Sequence, residues 1–249
     1  MAPTANAPGA AAPPQRRRRF LSAEWRNLLM LNYVVPPELL APFVPAGTEL
    51  DSHDGRTFMS LVAFQFLRTR VLGVPVPLHV NFEEVNLRFY VRRPIGREAR
   101  RAVVFVQELV PRPAIAAVAR TLYNEAYRST QMKSQVSGDP PYVRYSWHTG
   151  TDWNSVQGQA TGVGQVPEEG SHQAFISDQH WGYTRQRDGG TVEYRVEHPR
   201  WSVWQAEQVI LDADLERLYG RALAAVMTRP WSAFIAAGSQ VTVSRPVRI

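Results

Sequence analysis

Hydrophobic residues cluster in short runs separated by turn-forming residues, and most runs carry the period of a strand rather than a helix. Phe58 to Leu67 (FMSLVAFQFL) is almost continuously apolar and short, the pattern of a strand buried on both faces. Asn81 to Val91 and Thr191 to Glu197 alternate with period two. Ala102 to Val110, Tyr142 to Trp147, Val203 to Leu211 and Gln240 to Val247 are further β-branched and aromatic runs. Asp188-Gly189-Gly190 sits between Tyr183-Thr184-Arg185 and Thr191-Val192-Glu193, which predicts a tight hairpin.

Helical spacing is scarcer. After Pro113, a favoured first-turn residue, Ile115, Val118, Ala119, Leu122 and Ala126 recur on one face. Asp212 or Asp214 can cap a second helix through Leu215, Leu218, Ala222 and Val226. Pro36 to Leu40 and Ser171 to Ile176 fit a helical turn or two. About ten strands and two helices predict a closed or strongly curved antiparallel sheet with helices packed outside. With no internal repeat or linker, residues 20–249 read as one domain, following an Ala/Pro/Arg leader over 1–19 that reads as disordered.

Composition narrows the chemistry. There is no cysteine, hence no disulfide, thiolate nucleophile or sulfur-ligated zinc site, which fits a cytosolic address. Four of the six net positive charges come from Arg16, Arg17, Arg18 and Arg19, so the body is nearly balanced. A nucleic-acid binder spreads its basic residues over a folded face, which argues against nucleic acid as a partner and leaves binding of nucleic acid or an acidic partner through the tail as a minor reading. Arg17-Arg18-Arg19-Phe20-Leu21 resembles a twin-arginine export signal, but Glu24, Arg26 and Asn27 interrupt the apolar region such a signal needs. No apolar run approaches the length of a membrane span.

The stretch Asn81-Phe82-Glu83-Glu84-Val85-Asn86-Leu87-Arg88-Phe89-Tyr90-Val91 is the most informative. As a strand it places Val85, Leu87, Phe89 and Val91 on one face and Glu84, Asn86, Arg88 and Tyr90 on the other. Alternate residues lie about 6.6 Å apart, so Glu84 and Arg88 bracket roughly 13 Å, a length suited to a small polar ligand. Arg88 can clamp a carboxylate, and Glu84 can exchange a proton if burial raises its pKa. On alternation alone the ordinary reading is a polar stripe facing water; in a closed barrel it would face the lumen.

Three pieces resemble the YqjF-like DUF2071 family: Phe20-Leu21-Ser22-Ala23-Glu24-Trp25-Arg26-Asn27-Leu28, Phe43-Val44-Pro45-Ala46-Gly47, and Phe82 through Val91. So does His198-Pro199-Arg200-Trp201. The resemblance spans most of residues 20–249. It implies a mostly β (α+β) fold similar to acetoacetate decarboxylase, a curved antiparallel β-barrel with an internal pocket and a few helices outside. It also implies that the Glu84 stripe faces the lumen. Acetoacetate decarboxylases form a Schiff base on one of two adjacent lysines. The best-matching stretch here, Tyr123-Asn124-Glu125-Ala126-Tyr127-Arg128, has none, and the chain's one lysine, Lys133, comes later. Lys133 therefore reads as a solvated surface residue, with a lyase using Lys133 as the minor alternative.

The resulting expectation is a small-molecule-binding protein or enzyme relative holding a small carboxylate or keto-acid-like ligand. Asn86, Arg88, Tyr90 and Glu125 would bind it, and Glu84 and Tyr123 would be the titrating pair. A non-catalytic binding protein on the same scaffold is the alternative, and homo-oligomerisation stays open. Either residue can also be structural: Tyr123 a core tyrosine and Glu125 a surface carboxylate. His53, His79, His148, His172, His180 and His198 show no metal-ligand spacing, although a spatial cluster of His180, His198 and Glu84 stays open. The aromatic His180-Trp181-Gly182-Tyr183 segment, with Trp201 and Trp204, suits core packing or an apolar pocket. No nucleophile elbow, phosphate loop or dinucleotide fingerprint is present, and Thr161-Gly162-Val163-Gly164 reads as a bend, so no cofactor is expected.

Overall fold

The computed structural model describes residues 18–75, 79–96, 98–113, 116–117, 121 and 123–249. Fifteen strands among them form one sheet. They are β1 (Arg19–Val34), β2 (Glu49–Leu50), β3 (Phe58–Val71), β4 (Val74–Pro75), β5 (Phe82–Ile95), β6 (Glu98–Val110), β7 (Tyr127–Ser129) and β8 (Met132–Ser137). After them come β9 (Tyr142–Thr149), β10 (Asp152–Gln165), β11 (Trp181–Arg185), β12 (Thr191–Glu197), β13 (Val203–Asp212), β14 (Ser232–Ser244) and β15 (Val247–Arg248).

The hydrogen-bonded path β12–β11–β6–β5–β3–β1–β14 returns on itself, because Val196 and Glu197 of β12 pair with Val243 and Thr242 of β14. The earlier half of β14 pairs instead with β13, which carries β10, β9 and β8 away from the ring. These outer strands fold over the barrel wall. Leu29, Leu61, Val85, Leu87 and Phe89 on the outside of the wall share one core with Tyr145, Trp147 and Val156 of the outer layer. Leu28, Val62, Phe64, Phe82 and Phe234 form a second core inside the barrel. The central strands β1, β3 and β5 are therefore covered on both faces. The pairing is antiparallel except where β6 meets β7 and β11, both parallel to it.

Several expectations need correcting. Arg19, read as the end of the leader, opens β1; Arg16 and Arg17 lie outside the described residues. The alternations miss β1 and β10, whose period is broken at Asn27 and Gly162, both with positive φ. In the first expected helix, Pro113, Ala116, Ala117 and Thr121 are helical. Ile115, Val118, Ala119 and Leu122 lie outside the described residues, and Ala126 is already non-helical. The second is two short helices, Leu215–Tyr219 and Arg221–Val226, broken at Gly220 (φ 83°). Its cap is Asp214, which accepts from the Arg217 amide at 3.0 Å, while Asp212 ends β13. The Asp188-Gly189-Gly190 hairpin joins Arg185 to Thr191 as expected. No helix among the described residues is long and apolar enough to cross a membrane.

Candidate functional site

Inside the barrel lies a cavity of about 260 Å³, just below the roughly 300 Å³ at which ligand pockets usually begin. Its walls are largely aromatic; Phe66 and Phe82 stack at 4.6 Å and Trp25 meets Phe64 edge-on at 5.3 Å. Glu84, Asn86 and Arg88 enter it from β5. All three are more than nine-tenths buried, so the solvent-facing reading of the stripe is overturned. The reason is topological: β5 is central in the wall, with the outer layer over one face and the cavity against the other.

Register delivers the rest of the site. Between Leu87 paired with Gln107 and Arg88 paired with Phe105, β6 carries one extra residue, Val106. This bulge shifts the alternation, so Phe105 and Glu108 both face the cavity although they are three apart. Glu108 lies directly opposite Asn86 and, on its other side, opposite Tyr127 of β7. Tyr123 and Glu125 reach the cavity from the segment before β7. Asn124 between them takes the left-handed conformation (φ 56°), which asparagine tolerates, and its side chain donates to the Arg185 carbonyl at 2.8 Å.

Three buried carboxyls thus share one apolar space. Glu84 accepts from Asn86 Nδ2 at 2.9 Å and from the Tyr127 hydroxyl at 3.2 Å. Glu125 accepts from the Tyr194 hydroxyl and from Thr184 Oγ1 at 3.2 Å. Burial pushes the Glu84 pKa up to about 7, with Glu125 adding to the rise and Asn86, Tyr127 and Arg88 opposing it. Burial likewise lifts Glu125 to about 7. Glu108 is driven well above the carboxylate range, first by burial and then by Glu125 and Glu84, and its hydrogen bond to Glu125 leaves the proton on Glu108. Neighbouring carboxyls in a dry site cannot all ionise, so the cluster holds protons at neutral pH.

The remaining expected residues divide. Tyr123 is buried and its hydroxyl donates to the Ser244 carbonyl at 3.1 Å; burial raises its pKa, so it keeps its proton. The tyrosine touching Glu84 is Tyr127 instead. Tyr90 shares the β5 face, but its hydroxyl meets Ser60 Oγ at 2.6 Å, and it does not line the cavity. Glu125 is buried rather than a surface carboxylate. Lys133 is exposed, its ammonium 4.2 Å from the Trp153 ring centroid, away from the cavity. The His180 and His198 rings lie 4.6 Å apart, tilted by 34°, and neither joins Glu84 in the cavity wall. Trp181 lines the cavity, whereas Trp201 packs in the interior core. Among the described residues no group of three or more His, Asp or Glu is disposed to hold a metal ion.

Sequence reasoning passed over Glu108, Tyr127 and Tyr194. For Glu108 a signal existed: a lone carboxylate in the run Ala102 to Val110, apolar but for it and Gln107, is costly to bury without a purpose.

A family model described as an uncharacterised conserved protein, DUF2071, matches residues 22–240. The chain belongs to this family. The uncharacterised protein YqjF of Bacillus subtilis (strain 168) is 28% identical over 116 residues, 46% of each chain, so the match spans under half of that relative. Among solved structures, acetoacetate decarboxylase from Legionella pneumophila superposes with a TM-score of 0.67 at 11% identity, covering 98% of this chain and 92% of that one. An acetoacetate decarboxylase-like enzyme from Sphingomonas wittichii RW1 gives 0.65 at 13% identity, with 93% of each chain covered. The enduracididine biosynthesis enzyme MppR complexed with pyruvate gives 0.64 at 11% identity, covering 94% and 91%. At such identities the likeness establishes the DUF2071 chain's fold: a mostly β, strongly curved sheet of the acetoacetate decarboxylase type.

Proposed function

We propose that this DUF2071 protein binds a small organic acid of the keto-acid class in the barrel cavity, and that Glu84, held by the Tyr127 hydroxyl, exchanges a proton with it. The observation that carries this reading is a set of polar atoms without partners within the protein: Arg88 Nε, Asn86 Oδ1, Glu108 Oε2 and Gln179 Oε1. All four belong to residues lining the same cavity. A buried group left unpaired costs about 1–3 kcal/mol, so four around one space favour a ligand that completes them. Arg88 already donates through one terminal nitrogen to the Ile176 carbonyl at 3.1 Å, which orients the guanidinium and leaves Nε for an incoming oxygen. A carboxyl near pKa 7 is matched to proton transfer at neutral pH. Amine chemistry is no part of the proposal, since Lys133 stands outside the wall. The pyruvate held by one structural neighbour is a keto acid of the size this cavity admits.

The test is thermal stability with a panel of small 2-oxo and 3-oxo acids, pyruvate included. A bound acid at a hundredfold excess over its Kd adds about 2.7 kcal/mol to the folded state. The expected result is a raised Tm for wild type with at least one acid, and at least tenfold weaker binding for Arg88→Gln. A panel that moves neither protein, or both equally, refutes the reading.

A further inference from the structure

The unpaired atoms in the cavity are not of one kind. Asn86 and Glu108 face each other directly across β5 and β6, so their side chains leave the same face about 5 Å apart. They are 2% and 1% exposed. The Asn86 amide nitrogen is committed to Glu84 at 2.9 Å, which fixes the orientation of the amide and leaves Oδ1 as an acceptor. Glu108 Oε2 is the second buried oxygen without a hydrogen-bond partner in the protein. Two buried acceptors side by side need N–H donors. Arg88, one alternate position along β5 from Asn86 and about 6.6 Å away, has the opposite need in its unpaired Nε–H.

The cavity therefore has an acceptor-seeking end and a donor-seeking end. The donor-seeking end also holds the three carboxyls, against which Arg88 alone supplies a cationic side chain from β5. The rings of Trp25 and Phe105 line the same walls, and aromatic rings attract a cation; the Trp181 ring already meets the Arg100 guanidinium at 4.3 Å.

We propose that the ligand is amphoteric, with an acid group on Arg88 and a protonated amine docked between Asn86 Oδ1 and Glu108 Oε2. This rests on the acid-binding reading above and extends it to the other end of the molecule. An ammonium carries three donors and one positive charge, so it satisfies both oxygens and offsets a carboxylate of the cluster. A plain alkyl acid would leave both acceptors buried and unpaired.

Matched probes separate the two cases. In 4-aminobutanoate and pentanoate, and in 5-aminopentanoate and hexanoate, an ammonium and a methyl group exchange places on the same skeleton. Calorimetric titration of the full-length protein should show the amino member of at least one pair binding tenfold or more tightly than its alkyl partner. Glu108→Gln keeps the shape and removes the ionisable group. It should cut that preference, read as the ratio of the two affinities, about tenfold. If Glu108→Gln does not fold, the matched pairs on the unaltered protein decide alone. An alkyl acid that binds as tightly as its amino partner overturns the inference, as does a preference unchanged in Glu108→Gln. A protein that binds keto acids through Arg88 but neither amino acid overturns this inference alone; one that binds no acid of either panel overturns the acid-binding reading with it.

Discussion

The protein is expected to lose stability as the pH rises from about 4.5 to about 7, and Glu84→Gln to flatten that loss. In the unfolded chain a glutamate ionises near 4.5, whereas burial holds the Glu84 and Glu125 protons to about 7 and drives Glu108 well above the carboxylate range. Between those limits the folded state binds more protons than the unfolded state. Stability then falls with rising pH, by about 1.4 kcal/mol per unit for each carboxyl. The penalty is absent below about 4.5; the Glu84 and Glu125 parts are complete above about 7, and for Glu84 alone it amounts to about 3 kcal/mol. Two histidines act in the opposite sense. Burial lowers the pKa of His172 to about 4 and lowers that of His198, so the folded state resists their protonation and stability from them falls as the solution is acidified below 6.5. The carboxyl effect is therefore read as a difference between proteins. Urea unfolding of wild type and Glu84→Gln from pH 4.5 to 7.5 should give curves that diverge, with the variant gaining about 3 kcal/mol on wild type across the range. Parallel curves would mean that Glu84 ionises freely and that the cavity is wet.

How far the site was legible follows from the same strand geometry. The alternation in Asn81 to Val91 divides the residues of β5 correctly, because a strand's side chains have no choice but to alternate. It cannot say which face meets water. That depends on the β9, β10 and β13 layer, whose Trp147 and Tyr145 cover Val85 and Leu87 from a distant part of the chain. Glu108 was hidden for a different reason. Simple alternation places it with Val104 and Val106 on the outside, and one bulge residue turns it inward. Tyr127 acquires its role from a parallel pairing with β6, and Tyr194 from closure of the ring, both non-local events. Resemblance rather than period singles out Tyr123 and Glu125, since they lie in an irregular segment that Asn124 bends. The apolar spacing after Asp214 predicts one continuous helix because it carries across Gly220, where the backbone breaks it.

Gly182→Ala should disable the cavity from outside it. Gly182 lies directly opposite Tyr194 in the β11–β12 pair, and the tyrosine ring crosses over it. A Cβ at position 182 would fall 2.2 Å from Tyr194 Cζ and 2.5 Å from its hydroxyl oxygen, far inside contact distance. The backbone has little freedom to withdraw, because Gly182 is also where β11 pairs with Val103 of β6 and so continues the ring. The ring of Tyr194 must swing away and release Glu125. Overpacking of this kind costs about 1–3 kcal/mol, and losing a hydrogen bond to a carboxylate a further 1.5–3 kcal/mol. The expected result is a destabilisation of about 3–5 kcal/mol together with loss of ligand binding. Tyr194→Ala removes the obstacle, so the Gly182→Ala/Tyr194→Ala double variant should be far less destabilised than the sum of its singles. Additive losses would instead place the damage in the β11 backbone and leave Tyr194 without the positioning role that its contact with Glu125 assigns it.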